Sequence, residues 1–390
     1  MADILAEHVG YLTDRVKLAR YQAAIKRLVR PEHLVLDLGC GTGVLGLMAL
    51  RAGARKVVFV EEDAVIEIAR QSVIRAGFAD RAEFFRLNSF ELVPPYRVDV
   101  VVCDHVGYFG FDYGILSLLA DARQRFLKAG GAIIPARLDL QLAPIESVQC
   151  RKLVGQWQEA SVPNDYTWLR TTAANTTYAI EAKSEQLLAD ASSLATLELG
   201  SDAAPFLSWS TEFECARDGT LDGLVGWFDC SLVDEIRMTN SPSVAGTFPS
   251  VADTSPSVAD TVERPQAFLP LASPMVVSAG EKIRVKVMVR HLDSIIAWVI
   301  EQPATGKCFS HSTFNGALMD RELLTQVSAN RVAKLNQRGR ARQIVLSYCD
   351  GQRTVAEVQA LLQSEHPHLF ASTLAMASFV AHVLSRDTNE

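Results

Sequence analysis

Apolar and polar positions alternate in blocks along the first 135 residues. Across 8–30, Leu12, Val16, Ala19, Ala23 and Leu28 fall on roughly one helical face, with Arg20, Lys26 and Arg27 left for solvent. That spacing predicts one helix. Short apolar runs at 34–38, 56–60, 82–86 and 98–103 predict strands. Helical patterns at 43–52, 63–77 and 114–128 lie between and after them, with Gly53, Gly77 and Gly130-Gly131 as stops. Regular alternation of strand and helix predicts an α/β fold with a doubly wound parallel sheet.

After Pro135 the pattern changes. Period-two segments dominate from about 137 to 310, among them Leu138-Leu140-Leu142, 206–213, 224–228 and 283–289. Helix signals are confined to 147–159 and 183–190. This half is expected to be mainly antiparallel β. A heptapeptide recurs three times, PSVAGTF at 242, PSVADTS at 249 and PSVADTV at 256. Its small, polar, Pro-rich units have no core face and predict an insertion loop. From about 318 the pattern turns helical again, at 343–348, 355–362 and 374–384.

Composition narrows the function classes. The 390 residues allow two or three domains. A net charge of −7 argues against a nucleic-acid binder driven by phosphate neutralisation. Seven cysteines are scattered without a CxxC pair or a Cys/His cluster, so neither a metal site nor a disulfide framework is expected. The N-terminal MADILAEHVG lacks a basic, then apolar, signal sequence. No apolar run reaches the ~18 residues of a membrane span. A cytoplasmic protein with no membrane partner is the expectation.

The chemistry concentrates at DLGCGTG, residues 37–43. An apolar strand stops at Gly39, Gly41 and Gly43, and a helix follows. Glycines there let a ligand approach bare backbone at a helix N-terminus. The alternate-glycine spacing resembles motif I of class I S-adenosylmethionine-dependent methyltransferases. Asp37 and Glu61, at the ends of successive strands, fit that reading, because an acid after the second strand can accept from both ribose hydroxyls.

The resemblance extends outward to the protein arginine methyltransferases. His8, Leu12, Asp14, Lys17, Tyr21 and Ala24-Ile25 resemble that family's N-terminal H-x-x-M-L-x-D-x-x-R-x-x-x-Y-x-x-A-I. AGARKVVFVEED, VDVVVCDHVGYF from Val98 and LKAGGAIIP from Leu127 resemble its second strand, acceptor loop and domain exit. LVGWFD from Leu224 resembles a barrel strand, and Pro274 with Gly280-Glu281 a later hairpin. The similarity covers about 8–310. It implies a Rossmann-like half followed by a mainly antiparallel β-barrel. The domains it implies are a cofactor-capping helix at 1–30, a cofactor-binding domain at 31–136, and a barrel domain at 137–317. The barrel domain would carry a dimerisation arm near 150–180, with Trp157, Tyr166 and Trp168, and the repeat loop at 240–262. A head-to-tail homodimer follows from that arm.

Roles carry over position by position. The resemblance implies that Lys17 faces the cofactor carboxylate where the family has Arg, keeping the charge and losing the bidentate fork. His8 matches a histidine over the cofactor. The adenine-binding acid falls on Glu91 or one residue earlier at Phe90, with Asn88 and Ser89 also within reach of adenine edges. The expected cofactor site is thus His8, Lys17, Asp37, Gly39, Gly41, Gly43, Glu61, Ser89 and Glu91, for S-adenosylmethionine and its product S-adenosylhomocysteine.

The acceptor loop departs from the family. Asp104 replaces the first of two glutamates that hold a guanidinium, and His105 replaces a tryptophan. Tyr113 takes the second glutamate's place with Asp112 beside it, and Val262-Glu263-Arg264 stands for T-H-W. Either Asp104 with Asp112 rebuilds the clamp, or the acceptor is not arginine and Asp104 with His105 serves a hydroxyl, imidazole or amine. Candidate catalytic residues are therefore Asp104, His105, Asp112 and Tyr113.

Beyond 318, Leu335-Asn336, Asp350-Gly351, Thr354, Glu357 and Phe379-Val380 resemble a PqqD-like domain. Thr354 with Glu357 three residues on also reads as a capping box. The resemblance implies a small winged-helix-like domain over 318–390 that binds a leader peptide as an added strand. The expected function is a methyltransferase with an altered acceptor pocket, acting on a peptide or protein side chain, with a ribosomal peptide natural-product precursor as one candidate. The alternatives are a small-molecule N- or O-methyltransferase of secondary metabolism, and a non-catalytic cofactor-binding or scaffold protein.

Overall fold

A computed structural model describes residues 2–242, 261–318 and 330–388. Most of the repeat at 242–262 and the start of the 318–390 segment therefore lie outside the described residues. The chain divides into two units, Met1–Ala317 and Leu318–Glu390.

The larger unit opens with α1 (Ala2–Thr13) and α2 (Arg15–Leu28) where one helix was expected. Asp14 makes the break. Its backbone leaves helical geometry at ψ 89°, and its carboxylate caps α2 by accepting the Lys17 N–H at 3.0 Å.

Five strands then form the parallel sheet: β1 (Leu34–Leu38), β2 (Lys56–Val60), β3 (Ala82–Phe85), β4 (Val98–Val102) and β5 (Leu127–Ile134). Helices α3 (Val44–Arg51), α4 (Ile66–Arg75) and α5 (Ile115–Arg125) connect them. β5 is a strand the periodicity did not predict. Its glycines read as a helix stop, yet a Cβ on Gly131 would stand 2.8 Å from the Asp99 carbonyl. Glycine lets β5 lie against β4, with Ile133 facing Val101 in the ladder.

Strand order is β3-β2-β1-β4-β5. The order reverses between β1 and β4, so the loops after these two strands flank the crevice where open α/β sheets bind ligands. Those loops are 39–43 and 103–114.

Two antiparallel sheets follow. The first contains β6 (Arg137–Ile145), β7 (Tyr178–Ile180), β8 (Ser192–Glu198), β10 (Gly219–Val233), β11 (Ile236–Thr239) and β12 (Gln266–Val277). Its order is β7-β12-β10-β6-β8, with β11 also on β10. The second runs β15-β14-β13-β9, from β9 (Leu207–Glu214), β13 (Lys282–Arg290), β14 (Ile295–Gln302) and β15 (Lys307–Ser312). Among the described residues no ladder joins the two into a closed barrel. Short helices α6 (Val148–Gly155) and α7 (Leu169–Ala174) occupy the expected arm, where Tyr166 and Trp168 are exposed. The helix expected at 183–190 is only a turn at Ser184–Gln186. Leu188 instead donates its N–H to the Pro144 carbonyl at 2.9 Å and buries its side chain.

Alternation explains these sheets. β13 buries Ile283, Val285, Val287 and Val289 and exposes the lysines and arginines between them. Apolar residues of all three sheets merge into one cluster. Trp298 on β14 is fully buried and donates Nε1–H to the Pro270 carbonyl on β12 at 2.8 Å, tying the antiparallel sheets together.

The smaller unit holds α8 (Gln337–Ser347), α9 (Val355–Glu365) and α10 (Thr373–Asp387). Val345, Val358, Leu362, Met376, Val380 and Val383 form its core. The Thr354–Glu357 capping box is present, with the Thr354 N–H reaching the Glu357 carboxylate at 2.7 Å. The described residues of this unit contain no strand. Among all described residues, no helix is long and apolar enough to cross a membrane.

Replacing Trp298 with Phe keeps most of its apolar bulk and strands the Pro270 carbonyl. The expected cost is about 1–3 kcal/mol in urea denaturation, and an unchanged midpoint would remove this bond from the account of how the sheets are held.

Candidate active site

The loop after β1 is shaped by left-handed backbone. Gly39, Gly41 and Gly43 have φ of 66°, 51° and 76°, conformations that side chains resist. Space is equally tight. A Cβ on Gly39 would collide with the His105 ring, and one on Gly41 would lie 3.2 Å from His8 Nε2. The loop is thus bare backbone roofed by two imidazoles. Gly43 stands at the N-terminus of α3 and packs on Ala69 and Phe59, outside the cleft lining.

Two acids hold this loop from below and from the side. Asp37 Oδ2 accepts the Gly46 N–H at 2.7 Å. Glu61, just past β2, accepts from Gly41 N–H at 3.1 Å through one oxygen and from Asp63 N–H at 3.0 Å through the other. Each oxygen keeps a lone pair for a further donor.

The loop after β4 supplies the facing wall. Asp104 Oδ2 pairs with Lys17 Nζ at 2.7 Å, and Oδ1 accepts from Tyr21 Oη at 3.3 Å. Lys17 is buried on α2, with its ammonium 4.6 Å from the centre of the Tyr11 ring. His105 Nδ1 lies 3.5 Å from Cys103 Sγ. Burial lowers the His105 pKa, with Glu61 and Asp104 opposing the fall, so the site favours the neutral ring.

Arg264, just before β12, completes the cleft. Nη2 lies 3.9 Å from Asp104 Oδ2, and Nη1 is buried with no hydrogen-bond partner among the described residues. Its backbone is braced on both sides. Glu263 N–H donates to Asp14 Oδ2 at 3.0 Å, and Asn240 Nδ2 donates to the Pro265 carbonyl at 2.8 Å.

The cleft therefore brings together His8, Lys17, Asp37, Gly39, Gly41, Glu61, Asp104, His105 and Tyr113. Its cavity is about 290 Å³, at the lower end of the range for small-molecule sites. Arg264, which stands in the T-H-W position, lines it as well, and so do Tyr11 and Asp63, which carry no signal in the sequence.

Besides Gly43, three expected residues stand apart. Asp112 does not join Asp104: its carboxylate accepts the Tyr108 and Phe109 N–H groups at 3.2 and 2.9 Å, closing its own turn. It lines a second cavity with Tyr113 and His291 instead. Ser89 is buried beneath Arg125, which donates to its carbonyl at 2.8 Å. Glu91 is exposed, and neither residue lines the cleft. Among the described residues no group of three or more His, Cys, Asp or Glu could hold a metal ion.

Comparison with known proteins bears on this geometry. A profile of the ribosomal protein L11 methyltransferase (PrmA) family matches residues 22–174. Protein arginine N-methyltransferase 1 of Saccharomyces cerevisiae is 27% identical over 229 residues, 57% of this chain and 65% of that protein. Protein arginine N-methyltransferase 6 of Danio rerio is 35% identical over 154 residues, 38% of this chain and 44% of its own length. The chain spans 59–65% of the length of the first three curated relatives it matches. Among solved structures, the Trypanosoma brucei PRMT1 enzyme–prozyme complex with AdoHcy superposes with a TM-score of 0.64 at 18% identity, over 78% of this chain and 96% of that one. Arabidopsis thaliana protein arginine methyltransferase 10 superposes with a TM-score of 0.63, also at 18% identity, over 79% and 98%.

One consequence concerns pH. Burial pushes the Asp37 carboxyl up to about 8, with Glu61 and Asp104 adding to the rise and the Gly46 N–H opposing it. A raised folded-state pKa contributes stability that is full below the ordinary carboxyl range and is lost as pH rises through about 8. Asp37→Asn should therefore flatten the fall in urea midpoint between about pH 5 and 9. Parallel pH profiles for variant and parent would overturn this.

The chain is related in sequence to the protein arginine methyltransferases and to the ribosomal protein L11 methyltransferase family, and it has the fold of the two solved arginine methyltransferases.

Proposed function

We propose that the protein is an S-adenosylmethionine-dependent methyltransferase acting on a side chain of a peptide or protein. One observation carries the cofactor assignment: a bare glycine loop with Glu61 tied to Gly41 and the ammonium of Lys17 across the cleft. The residues fit the cofactor's parts. Glu61 keeps an acceptor site on each oxygen for a pair of ribose hydroxyls. Lys17 offers a buried ammonium to a carboxylate. His8 roofs the Gly41 backbone, where any Cβ would crowd it.

When bound, the cofactor supplies an electrophilic methyl group on sulfur. The protein's own share is positioning, which suffices for a large part of the rate of a one-step displacement. Asp104 fixes Lys17 and faces Arg264, so it sets the charge and geometry at the acceptor end. Its Oδ2 is held by Lys17 at 2.7 Å, which suits a positioning role better than that of a free base.

The peptide acceptor rests on two supports. The named relatives are protein methyltransferases, and residues 335–380 resemble a PqqD-like domain, which would hold a leader peptide.

Two variants separate the two ends of the cleft. Glu61→Ala should weaken S-adenosylhomocysteine binding by about 10–100-fold in calorimetry. Asp104→Asn should keep that affinity within about tenfold while turnover falls about 100-fold or more. Full turnover in Asp104→Asn sinks its assignment.

The acceptor class has its own test. Removing residues 318–390 should raise KM for a leader-bearing peptide and leave cofactor affinity unchanged. An acceptor methylated equally well by the shortened chain points to a small molecule.

A further inference from the structure

We infer that Arg264 recognises the acceptor and that the acceptor is a carboxylate, so the product is a methyl ester. This rests on the methyltransferase reading above and gives it a substrate class.

Arg264 is an unusual buried charge. Its side chain is 10% exposed and lines the cleft. A guanidinium has no neutral form at any relevant pH, so the charge is permanent. Buried charges are ordinarily paired and hydrogen-bonded. Here Nη2 reaches only to 3.9 Å from Asp104, beyond hydrogen-bond length, and Nη1 has no partner among the described residues.

The acids nearby are already committed. Asp104 is taken by Lys17 at 2.7 Å and by the Tyr21 hydroxyl at 3.3 Å. Asp112 is folded onto the N–H groups of its own turn. Asp37 and Glu61 are held by amides of the glycine loop and its helix. At the Asp104 end, one carboxylate thus faces two fixed cations, and burial favours a neutral His105. Lys17 holds Asp104 at hydrogen-bond distance, and Arg264 is left without a carboxylate that close.

That unpartnered guanidinium selects the acceptor. A guanidinium or ammonium entering here would add a further cation and leave Arg264 still unpaired. A carboxylate would complete the fork with two charge-assisted hydrogen bonds, the geometry for which arginine is suited. Arg264 cannot retreat easily, because its neighbours Glu263 and Pro265 are anchored on Asp14 and Asn240.

The chemistry also balances without a base. A carboxylate is ionised at neutral pH, so no proton has to be removed. Its oxygen forms a bond to the methyl carbon as the carbon–sulfur bond breaks, and that electron pair stays on sulfur. Sulfonium and carboxylate become a neutral thioether and a neutral ester. This accounts for a site in which burial disfavours a protonated His105 and Asp104 is paired with Lys17.

The test uses the full chain saturated with S-adenosylhomocysteine and titrated calorimetrically with acetate and with methylguanidinium. Acetate is expected to bind in the millimolar range and methylguanidinium to give no heat. Arg264→Gln should lose acetate binding at least tenfold while S-adenosylhomocysteine affinity stays within about threefold. Arg264→Lys, which keeps the charge, should retain weak acetate binding and guards against a folding defect. Methylguanidinium binding overturns the inference. So does equal acetate binding by Arg264→Gln, or a large loss of its cofactor-product affinity, which would assign Arg264 to the cofactor's own carboxylate. If the parent chain does not bind S-adenosylhomocysteine at all, the methyltransferase reading fails and the acceptor assignment with it.

Discussion

The ion pair between Lys17 and Asp104 is the contact on which the cleft depends. It joins a helix at the start of the chain to the end of a central parallel strand, 87 residues on. Lys17 is almost wholly enclosed, so its charge has little recourse to water. Removing Asp104 would leave the buried Lys17 ammonium without its acid, a costly loss, whereas Asp104 without Lys17 would stay partly exposed beside Tyr21 and Arg264. The pair therefore fixes α2 over the carboxyl ends of β1 and β4. Because lysine is a point charge without a fork, it engages one oxygen of Asp104 and leaves the other to Tyr21.

Two small polar side chains carry that order into the antiparallel half. Asp14 caps α2 with one oxygen and holds the Glu263 N–H with the other. Asn240 is fully buried and has every group engaged. Its side-chain oxygen accepts from Phe228 N–H at 2.9 Å, and its amide donates to the carbonyls of Tyr108 and Pro265. It thus links the acceptor loop, the longest strand and the segment bearing Arg264. A satisfied buried network of this sort specifies one arrangement of chain segments that apolar packing alone would leave loosely defined.

Much of this was legible in the chain, and the failures have physical reasons. β1, β2 and β4 were readable because fully buried strands are unbroken apolar runs. β13 was readable because a half-buried strand alternates. β5 was obscured by Gly130-Gly131, whose role is close approach to a neighbouring backbone. The break at Asp14 was hidden because its capping bond is made across three residues inside an otherwise continuous helical pattern. In the cleft, Gly39, Gly41, Glu61 and Asp104 carried local signatures. Asp112 lay beside Asp104 in the sequence reading, yet its carboxylate satisfied nearby N–H groups first. Arg264 sits 160 residues from Asp104, so only the resemblance at 262–264, and no local spacing, brings it to the same pocket. Asn240 left no trace at all, since a lone asparagine before a polar repeat reads as loop.

The way the repeat is attached has a consequence for how this gene can change. The Val262 N–H returns to the Thr239 carbonyl at 2.8 Å, and Thr239 and Thr261 form a bridge, so the described residues on either side of the repeat are held at neighbouring points. Tandem copies of one heptapeptide are prone to gain or loss in steps of seven residues during replication. Loop-closure cost rises only about 0.6 kcal/mol per doubling of length. By that measure a change in copy number would cost little in loop closure, while the Thr239–Val262 contact keeps the entry to β12, and with it Arg264, in place.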